Sequence, residues 1–449
     1  MSRGSLPGVA ATVLVALAAS AATLQADART SGSTAAKRIP SRDWAYAVAL
    51  QRDGKIVAAG RSVGGGWRFA LARYTARGTL DPSFGRLGRA FTFFGRSSKA
   101  SAVAIQRDGK LVAAGTAYRG GGLDDDFAVA RYTPRGRLDA GFGAGGKVVT
   151  DFSSRAQTSD DPFGVAIQAD ARLVVAGGSG KGGTGPYRIA VARYTTRGKL
   201  DPSFGRGGRV LTRVGSDGFG RAVAIQRDRK IVVAGSGRSA FALARYTARG
   251  KLDRGFGQGG TVSTKLGSFS SAQAVAIQPD GKIVAAGEAS LDFGIVRYTA
   301  SGKLDRSFGN GGRIVTNIGF LTPEGGGRYQ SEDRALAAAL QPDGKLVVAG
   351  WSDALGRYGE KGCCVPDFAL VRYTADGRLD PTFGDGGKVL TPFAGISEAE
   401  GVAIQPDGKI VAAGGGAGYY VLARYTPDGK LDPMFGRGGK VQTTLRPAS

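Results

Sequence analysis

A chain of 449 residues with a formal charge of +25 and a pI near 10.3 favours acidic partners, and its complete lack of histidine removes Ser-His-Asp hydrolysis and His-ligated haem or zinc from consideration. Hydrophobic residues make up 42%, enough for a large core, and 75 glycines against 17 prolines suit many tight turns. Length alone suggests two or three domains, but one repeat spans nearly the whole chain and argues for a single closed array.

Residues 1–28 carry Arg3, an apolar run from Leu6 to about Leu24, and small-x-small cleavage options at Ala19-Ser20-Ala21 and Ala26-Asp27-Ala28. This reads as a secretory signal peptide, with an uncleaved membrane anchor as the competing reading. Residues 29–43 are polar and basic and read as a linker. The repeats occupy 44–445, and 446–449 form a short tail with no apolar character. The expectation is a freely exported, secreted or extracytoplasmic bacterial protein, monomeric and without an integral membrane domain.

The repeat is clearest at Ala274 to Gly287, AVAIQPDGKIVAAG, and its copies begin near 47, 102, 164, 222, 274, 337 and 401. They align on Gln51, Gln106, Gln168, Gln226, Gln278, Gln341 and Gln405, spaced about 52 to 64 residues apart, in the range of propeller-type repeats. The fifth copy holds four strand-like pieces: AVAIQ (274–278), KIVAAG (282–287), FGIVRYT (293–299) and GRIVT (312–316). They are short, rich in Val, Ile and aromatics, and punctuated by Asp-Gly or Gly-Gly, so they read as antiparallel strands joined by hairpins. Four strands seven times predicts an all-β fold, a seven-bladed β-propeller; an open β-solenoid is the alternative. No strand swap is evident, so closure rests on blade-to-blade packing, helped by the segment before Trp44.

The recurring text AVAIQ-PDGK-IVAAG, then FALARYT, then GxLDPSFGxGGKV, seen from Phe241 to Val262 with Arg254-Gly255 replacing Pro-Ser, resembles the bacterial delta-60 repeat, a β-propeller module similar to NHL-type propellers. The resemblance covers the whole predicted mature chain. It implies the fold and an extracellular or surface setting, and brings no catalytic residues. Three copies depart from the pattern: Ala169-Asp170-Ala171-Arg172 in the third, Asp228-Arg229 in the fourth and Ala337-Ala338-Ala339 in the sixth, predicting altered turns or a looser first strand there.

Recurrence separates frame from function. Arg73, Arg131, Arg193, Arg245, Arg297, Arg372 and Arg424 recur on an apolar strand face, each followed by Asp81, Asp139, Asp201, Asp253, Asp305, Asp380 or Asp432. A buried Arg needs a carboxylate, so these predict structural salt bridges. The recurring Phe, as in Phe84 and Phe308, reads as core. The seven Gln are expected to cap the following turn, with the channel mouth as their other possible place.

Specificity is expected where the copies differ. In a meandering blade the first-to-second and third-to-fourth turns share one face, and here they are short, regular and basic. The longer, irregular connections share the other face, which is expected to bind. Asp124, Asp125, Asp126, Asp160 and Asp161 form a calcium candidate on two of these loops, though without the spacing of a calcium loop. Cys363 and Cys364, the only cysteines, lie in the sixth copy's long loop near Trp351, as a strained disulfide or as free or intermolecular thiols. Glu324, Arg328 and Tyr329 mark a third loop of ligand candidates. The functional expectation is an exported binding or scaffold module for a polysaccharide, cell-envelope polymer or protein, with nonspecific polyanion attachment through the basic face. The alternative is a carboxylate- or metal-dependent hydrolase or lyase at the propeller channel; no catalytic residue is assigned, and no cofactor beyond calcium.

Overall fold

The computed structural model describes residues 43–63, 66–118, 125–152, 158–181, 186–321, 329–354 and 365–445, with the side chains of 320, 321, 329 and 330 excepted. The expected signal peptide, most of the linker, the tail, Asp124, Glu324, Arg328, Cys363 and Cys364 lie outside the described residues.

The described chain is all strand and turn. β1 (Trp44–Leu50), β2 (Ile56–Val63), β3 (Trp67–Tyr74) and β4 (Arg89–Thr92) form an antiparallel meander in chain order. The same order recurs in β5 (Ser97–Ile105), β6 (Leu111–Tyr118), β7 (Asp125–Tyr132) and β8 (Lys147–Thr150), then in β9 (Thr158–Ile167), β10 (Leu173–Lys181), β11 (Arg188–Tyr194) and β12 (Arg209–Thr212). A single parallel pairing of Asp125 with Ser159 joins these last two meanders into one sheet. Separate meanders follow: β13 (Gly218–Ile225), β14 (Ile231–Gly237), β15 (Phe241–Tyr246) and β16 (Thr261–Thr264), then β17 (Ser270–Ile277), β18 (Ile283–Ala289), β19 (Asp292–Tyr298) and β20 (Arg313–Thr316). A two-stranded hairpin, β21 (Phe320–Leu321) and β22 (Tyr329–Gln330), intervenes in the connection that contains Tyr329. The last meanders are β23 (Asp333–Leu340), β24 (Leu346–Ser352), β25 (Asp367–Tyr373) and β26 (Lys388–Thr391), and β27 (Ser397–Ile404), β28 (Ile410–Gly416), β29 (Tyr419–Tyr425) and β30 (Lys440–Thr443).

The core lies between neighbouring meanders. Phe241, Leu243 and Phe256 of one pack with Ala272, Val275, Val296 and Tyr298 of the next. First strands touch one another in succession, and β1 touches β27 and β28, so they form the inner ring. Ala45, Val48 and Tyr74 pack with Tyr420, Leu422, Phe435 and Leu445, joining the two ends of the array. Asp43, the last residue of the expected linker, is fully buried; its carboxylate accepts from Leu445 N at 2.8 Å, and its amide donates to Gly418 O at 3.0 Å.

The Arg-Tyr-Thr triplet ties each sheet to both neighbours. Nε of Arg73, Arg131, Arg193, Arg245, Arg297, Arg372 and Arg424 lies 2.8–2.9 Å from Oδ2 of Asp81, Asp139, Asp201, Asp253, Asp305, Asp380 and Asp432, respectively. Each guanidinium also covers a recurring Phe ring, 4.3–4.7 Å from its centroid. Nη1 of each donates forward to a backbone carbonyl of the next sheet: Pro134, Thr196, Ala248, Ala300, Ala375 and Pro427, and finally Ala76 of the first. The adjacent tyrosines reach backwards, Tyr132, Tyr194, Tyr246, Tyr298, Tyr373 and Tyr425 bonding Thr92, Thr150, Thr212, Thr264, Thr316 and Thr391 at 2.7–2.9 Å. One short motif thus staples the ring in both directions.

The departing copies do not loosen it. β23 keeps the common register and irregularity although it reads Ala-Ala-Ala, and Ala171 and Arg229 hold the third and fourth turns at φ 64° and 65°, where other copies use glycine. The turn geometry survives at a cost of about 1–2 kcal/mol in left-handed strain for each non-glycine residue. The recurring Gln does not cap that turn with its side chain: Gln278 N and O make the backbone bonds to Lys282 O and Gly281 N, while Oε1 of all seven is buried without a hydrogen-bond partner among the described residues.

Candidate functional site

Every first strand is broken at the same point. Pairing with the second strand slips at Tyr46, Ser101, Phe163, Arg221, Gln273, Leu336 and Glu400, the residue five places ahead of each recurring Gln. A bulge leaves its residue without a cross-strand partner and re-aims the side chain. Its companion signature is the recurring glycine opposite: a Cβ on Gly60 would lie 1.9 Å from Trp44 O, and one on Gly115 1.9 Å from Lys99 O. The bulge pushes the first strand's backbone against the second, and only glycine allows that approach.

The bulged residues differ from copy to copy, and so do those two places earlier: Trp44, Lys99, Asp161, Phe219, Ser271, Arg334 and Glu398. Opposite these, on the second strands, stand Arg61, Thr116, Gly178, Ser236, Glu288, Trp351 and Gly415. The first two sets lie on the inner ring where first strands begin, and the third stands beside them where second strands end. Their charges act across the ring: Arg221 of β13 senses Asp161 of β9, Glu400 of β27 and Glu288 of β18. Burial pulls Arg221 down to about 10, so it stays charged at neutral pH.

Aromatic rings fill the spaces between these charges. The Arg61 guanidinium stands 4.2 Å from the Trp67 ring centroid and 5.7 Å from that of Tyr46, and Trp67 meets Tyr118 edge-on at 6.3 Å. Arg221 lies over Phe163 at 4.5 Å and Phe219 at 4.8 Å, and Tyr187 packs on Phe219 at 5.0 Å. On the far side Arg334 sits 5.6 Å from Trp351, 3.5 Å from Glu288 and 3.2 Å from Glu332. Trp351, a loop candidate from sequence, belongs to β24 and is 9% exposed. Trp44 Nε1 donates to Glu400 Oε1 at 3.1 Å, and burial raises the neighbouring Glu398 to about 7. The repeat pattern marks no acid-base constellation near a first strand. Two carboxylates nevertheless share β27, hidden because they occupy varied positions inside an otherwise faithful repeat.

The calcium candidates separate. Asp126 and Asp160 converge with Asp151, which the sequence did not single out, each with an oxygen within 4.8 Å of the others. Asp125 stands in the lone parallel pairing, and Asp161 belongs to the varied first-strand set, accepting from Thr116 Oγ1 at 3.0 Å and Ser159 Oγ at 2.9 Å. Asp160 accepts from Phe152 N at 2.7 Å, as Asp333 does from Ile318 N at 2.7 Å and Asp43 from Leu445 N. That recurrence gives Asp160 a structural task, anchoring the entry to a first strand.

Burial lifts Asp160 and Asp333 to about 6, with Asp151 and Asp126 adding repulsion at the first and Asp292 at the second. Both favour folding while protonated, so their contribution is complete below about pH 4 and is lost as pH rises through 6. The recurring salt-bridge aspartates act oppositely. Their hydroxyl, backbone and cationic neighbours hold Asp81, Asp201, Asp305 and Asp380 below the usual range, outweighing burial, and that stability is lost as pH falls below about 4. The melting temperature is expected to peak near pH 4–5, and the Asp160→Asn/Asp333→Asn variant to flatten the decline from pH 4 to 6. An unchanged decline would remove these two groups as its cause.

The regular face is less bare than its composition suggests. Lys110, Lys282 and Lys409 of its turns reach Asp139, Asp305 and Asp432 at 3.1–3.3 Å, while Arg52, Arg77, Arg107, Arg227 and Arg249 are among its exposed cations. A hollow of about 420 Å³ on this face, between Ala76, Pro406, Arg424 and Met434, marks the seam between the last and first sheets and gathers none of the channel-mouth chemistry.

The model of a family described as "Domain of unknown function (DUF5122) beta-propeller" matches residues 51–84, 106–142, 168–204, 226–256, 278–308, 341–358, 365–383 and 405–435, just over half of the chain. The chain belongs to this family. Copy by copy, with the sixth in two pieces, the DUF5122 segments begin at the recurring Gln and run through the Arg-Asp staple to the recurring Phe, so they trace the frame and leave out the varied first-strand positions. No curated protein matches the chain by sequence. Among solved structures it is similar to a virginiamycin B lyase from Staphylococcus aureus, at 12% identity over 84% of this chain and 93% of the other, with a TM-score of 0.48. A Lactobacillus plantarum protein matches at 15% over 84% and 94%, TM-score 0.49, and a puromycin-hydrolyzing peptidase of Mycobacterium tuberculosis at 11% over 90% and 53%, TM-score 0.47. At such identities the likeness concerns the fold alone, and no activity is carried over. No helix among the described residues is long and apolar enough to cross a membrane.

Proposed function

We propose that the chain is an exported, closed seven-bladed β-propeller of delta-60 repeats that binds a polysaccharide, cell-envelope polymer or protein at the irregular-face mouth of its channel. One observation carries this reading. The recurring Arg and Asp pair with each other within the frame, whereas the varied first-strand positions gather Trp44, Tyr46, Phe163, Arg221 and Glu400 toward one end of the inner ring. Aromatic rings beside fixed charges suit a ligand with both a flat apolar surface and polar groups. On this reading the specificity-bearing residues stand on the inner strands, beside the loops first expected to hold them.

The test is a glycan, peptide and polyanion binding array with the purified mature protein at two salt concentrations, with and without calcium. Trp44→Ala and Trp351→Ala are expected to weaken the selected ligand tenfold or more, while charge reversal at Arg52, Arg107 and Arg227 removes only salt-sensitive polyanion binding. Retention of all binding by the two tryptophan variants would refute the channel-mouth reading. The second reading, carboxylate-dependent hydrolysis or lysis, is favoured by Glu398 and Glu400 on one strand with Glu398 near 7, a value suited to proton transfer at neutral pH. Product release from the bound ligand, abolished in Glu398→Gln with binding retained, would establish it.

A further inference from the structure

We propose that Arg61, Lys99 and Arg221 form an oxyanion-binding subsite within the channel mouth, taking a carboxylate, sulfate or phosphate group of the ligand; this rests on the channel-mouth reading above. Cations of the same fold differ in their pairing. Every recurring Arg of the frame has its carboxylate at 2.8–2.9 Å. At the mouth, Arg334 likewise has Glu288 and Glu332. Arg61, Lys99 and Arg221 form no ion pair with any described residue. Nε and Nη1 of Arg221 and Nε of Arg61 are buried without a hydrogen-bond partner among the described residues, and Lys99 is only 8% exposed.

Lys99 and Arg221 share the Phe163 ring, and burial, then Arg61 and Arg221, lower the Lys99 ammonium from its ordinary value against the support of Asp161 and Asp125. Asp161 supports the charges of Lys99 and Arg221 from a distance without an ion pair to either, its oxygens accepting instead from Thr116 and Ser159. What the three do have is aromatic surface. Phe163 and Phe219 cover Arg221, Tyr46 and Trp67 cover Arg61, and the Lys99 Nζ lies 5.9 Å from the Phe163 centroid. Stacking of this kind offsets part of the cost of burying a cation and occupies the faces of a guanidinium, while its in-plane N–H groups stay unpaired. A planar fork of donors beside an ammonium is the arrangement that recognises an oxyanion, which would supply the missing counter-charge. Acidic side chains ring the same mouth, Asp161 acting on Lys99 and Arg221 and Glu400 on Arg221 and on Tyr46 beside Arg61, so the bound oxyanion is expected to be held by the direct hydrogen bonds of the three cations.

Titration with inorganic phosphate at low ionic strength, read by calorimetry and by the tryptophan fluorescence of the mouth, tests the subsite. Wild type is expected to bind phosphate saturably. Arg221→Gln should weaken it at least tenfold, Arg221→Lys should weaken it less, and Arg107→Gln on the regular face should leave it unchanged. Without phosphate, Arg221→Gln is expected to melt no lower than wild type, because it removes an unpaired buried charge; a purely structural Arg221 would give the reverse. Absence of saturable phosphate binding, or equal binding by wild type and Arg221→Gln, overturns the subsite. A neutral oligosaccharide from the array that still depends on Trp44 and Trp351 would then leave the channel-mouth reading standing. If array ligands ignore those tryptophans as well, both fall together.

Discussion

Arg245→Met is expected to lower the free energy of unfolding by about 3–5 kcal/mol, the cost of leaving a buried charge without its partner. The substitution removes the 2.9 Å contact with Asp253, the stacking on Phe256 and the forward bond to Ala300 O, so it unfastens one sheet from the next as well as orphaning a carboxylate. Asp253 keeps Lys230 at 3.4 Å and the Gly255 amide at 3.2 Å, which softens the loss without replacing the inter-sheet bond. Adding Asp253→Asn should recover part of the stability by removing the stranded charge. Urea denaturation of the single and double variants measures both effects. A loss below about 1 kcal/mol, the value of an exposed pair, would show that the staple contributes little.

Gly115→Ala should cost about 3 kcal/mol, the upper end of overpacking penalties, because its new Cβ would meet backbone, which has no rotamer to yield. The obstacles are Lys99 O at 1.9 Å and the Ala100 Cα at 2.7 Å, so relief requires β5 to move away from β6 and the bulge at Ser101 to flatten. Gly259→Ala is the control. It has nothing within 4 Å and φ of 64°, and should cost only the left-handed strain of about 1–2 kcal/mol. Equal losses at the two positions, read from thermal or chemical melts, would mean that the bulge does not depend on glycine.

Much of the frame is legible in the repeat itself, for a physical reason. A blade is a small unit that cannot bury its faces alone, so each copy must present the same edges to its neighbours, and the recurring residues declare themselves by recurrence. Arg, Tyr and Asp of the third strand and its following turn are of this kind. The role of the recurring glycine in making a bulge was not readable, because a register slip is a property of two paired strands and leaves no mark on either alone. The candidate site escaped for a related reason. Variation is conspicuous in the long loops, whereas Lys99, Arg221, Glu398 and Glu400 vary at single positions within an otherwise repeated phrase. Their signal lies in the alignment of the seven copies, five and seven residues ahead of each Gln.

What the sequence determined by itself is the repeating strand order, the pairing chemistry that holds neighbouring sheets, and the absence of any histidine-based site. These are local or nearest-neighbour properties, and seven copies state them repeatedly. The tertiary structure decided which residues meet across the ring. Closure brings β9, β13, β18 and β27 within electrostatic reach although they are far apart in the chain, and the bulges turn their varied residues toward one mouth. It also decided the contrast on which the oxyanion subsite rests: a cation's pairing depends on what the fold sets beside it, so the paired Arg245 and the unpaired Arg221 are the same residue type until the ring is closed.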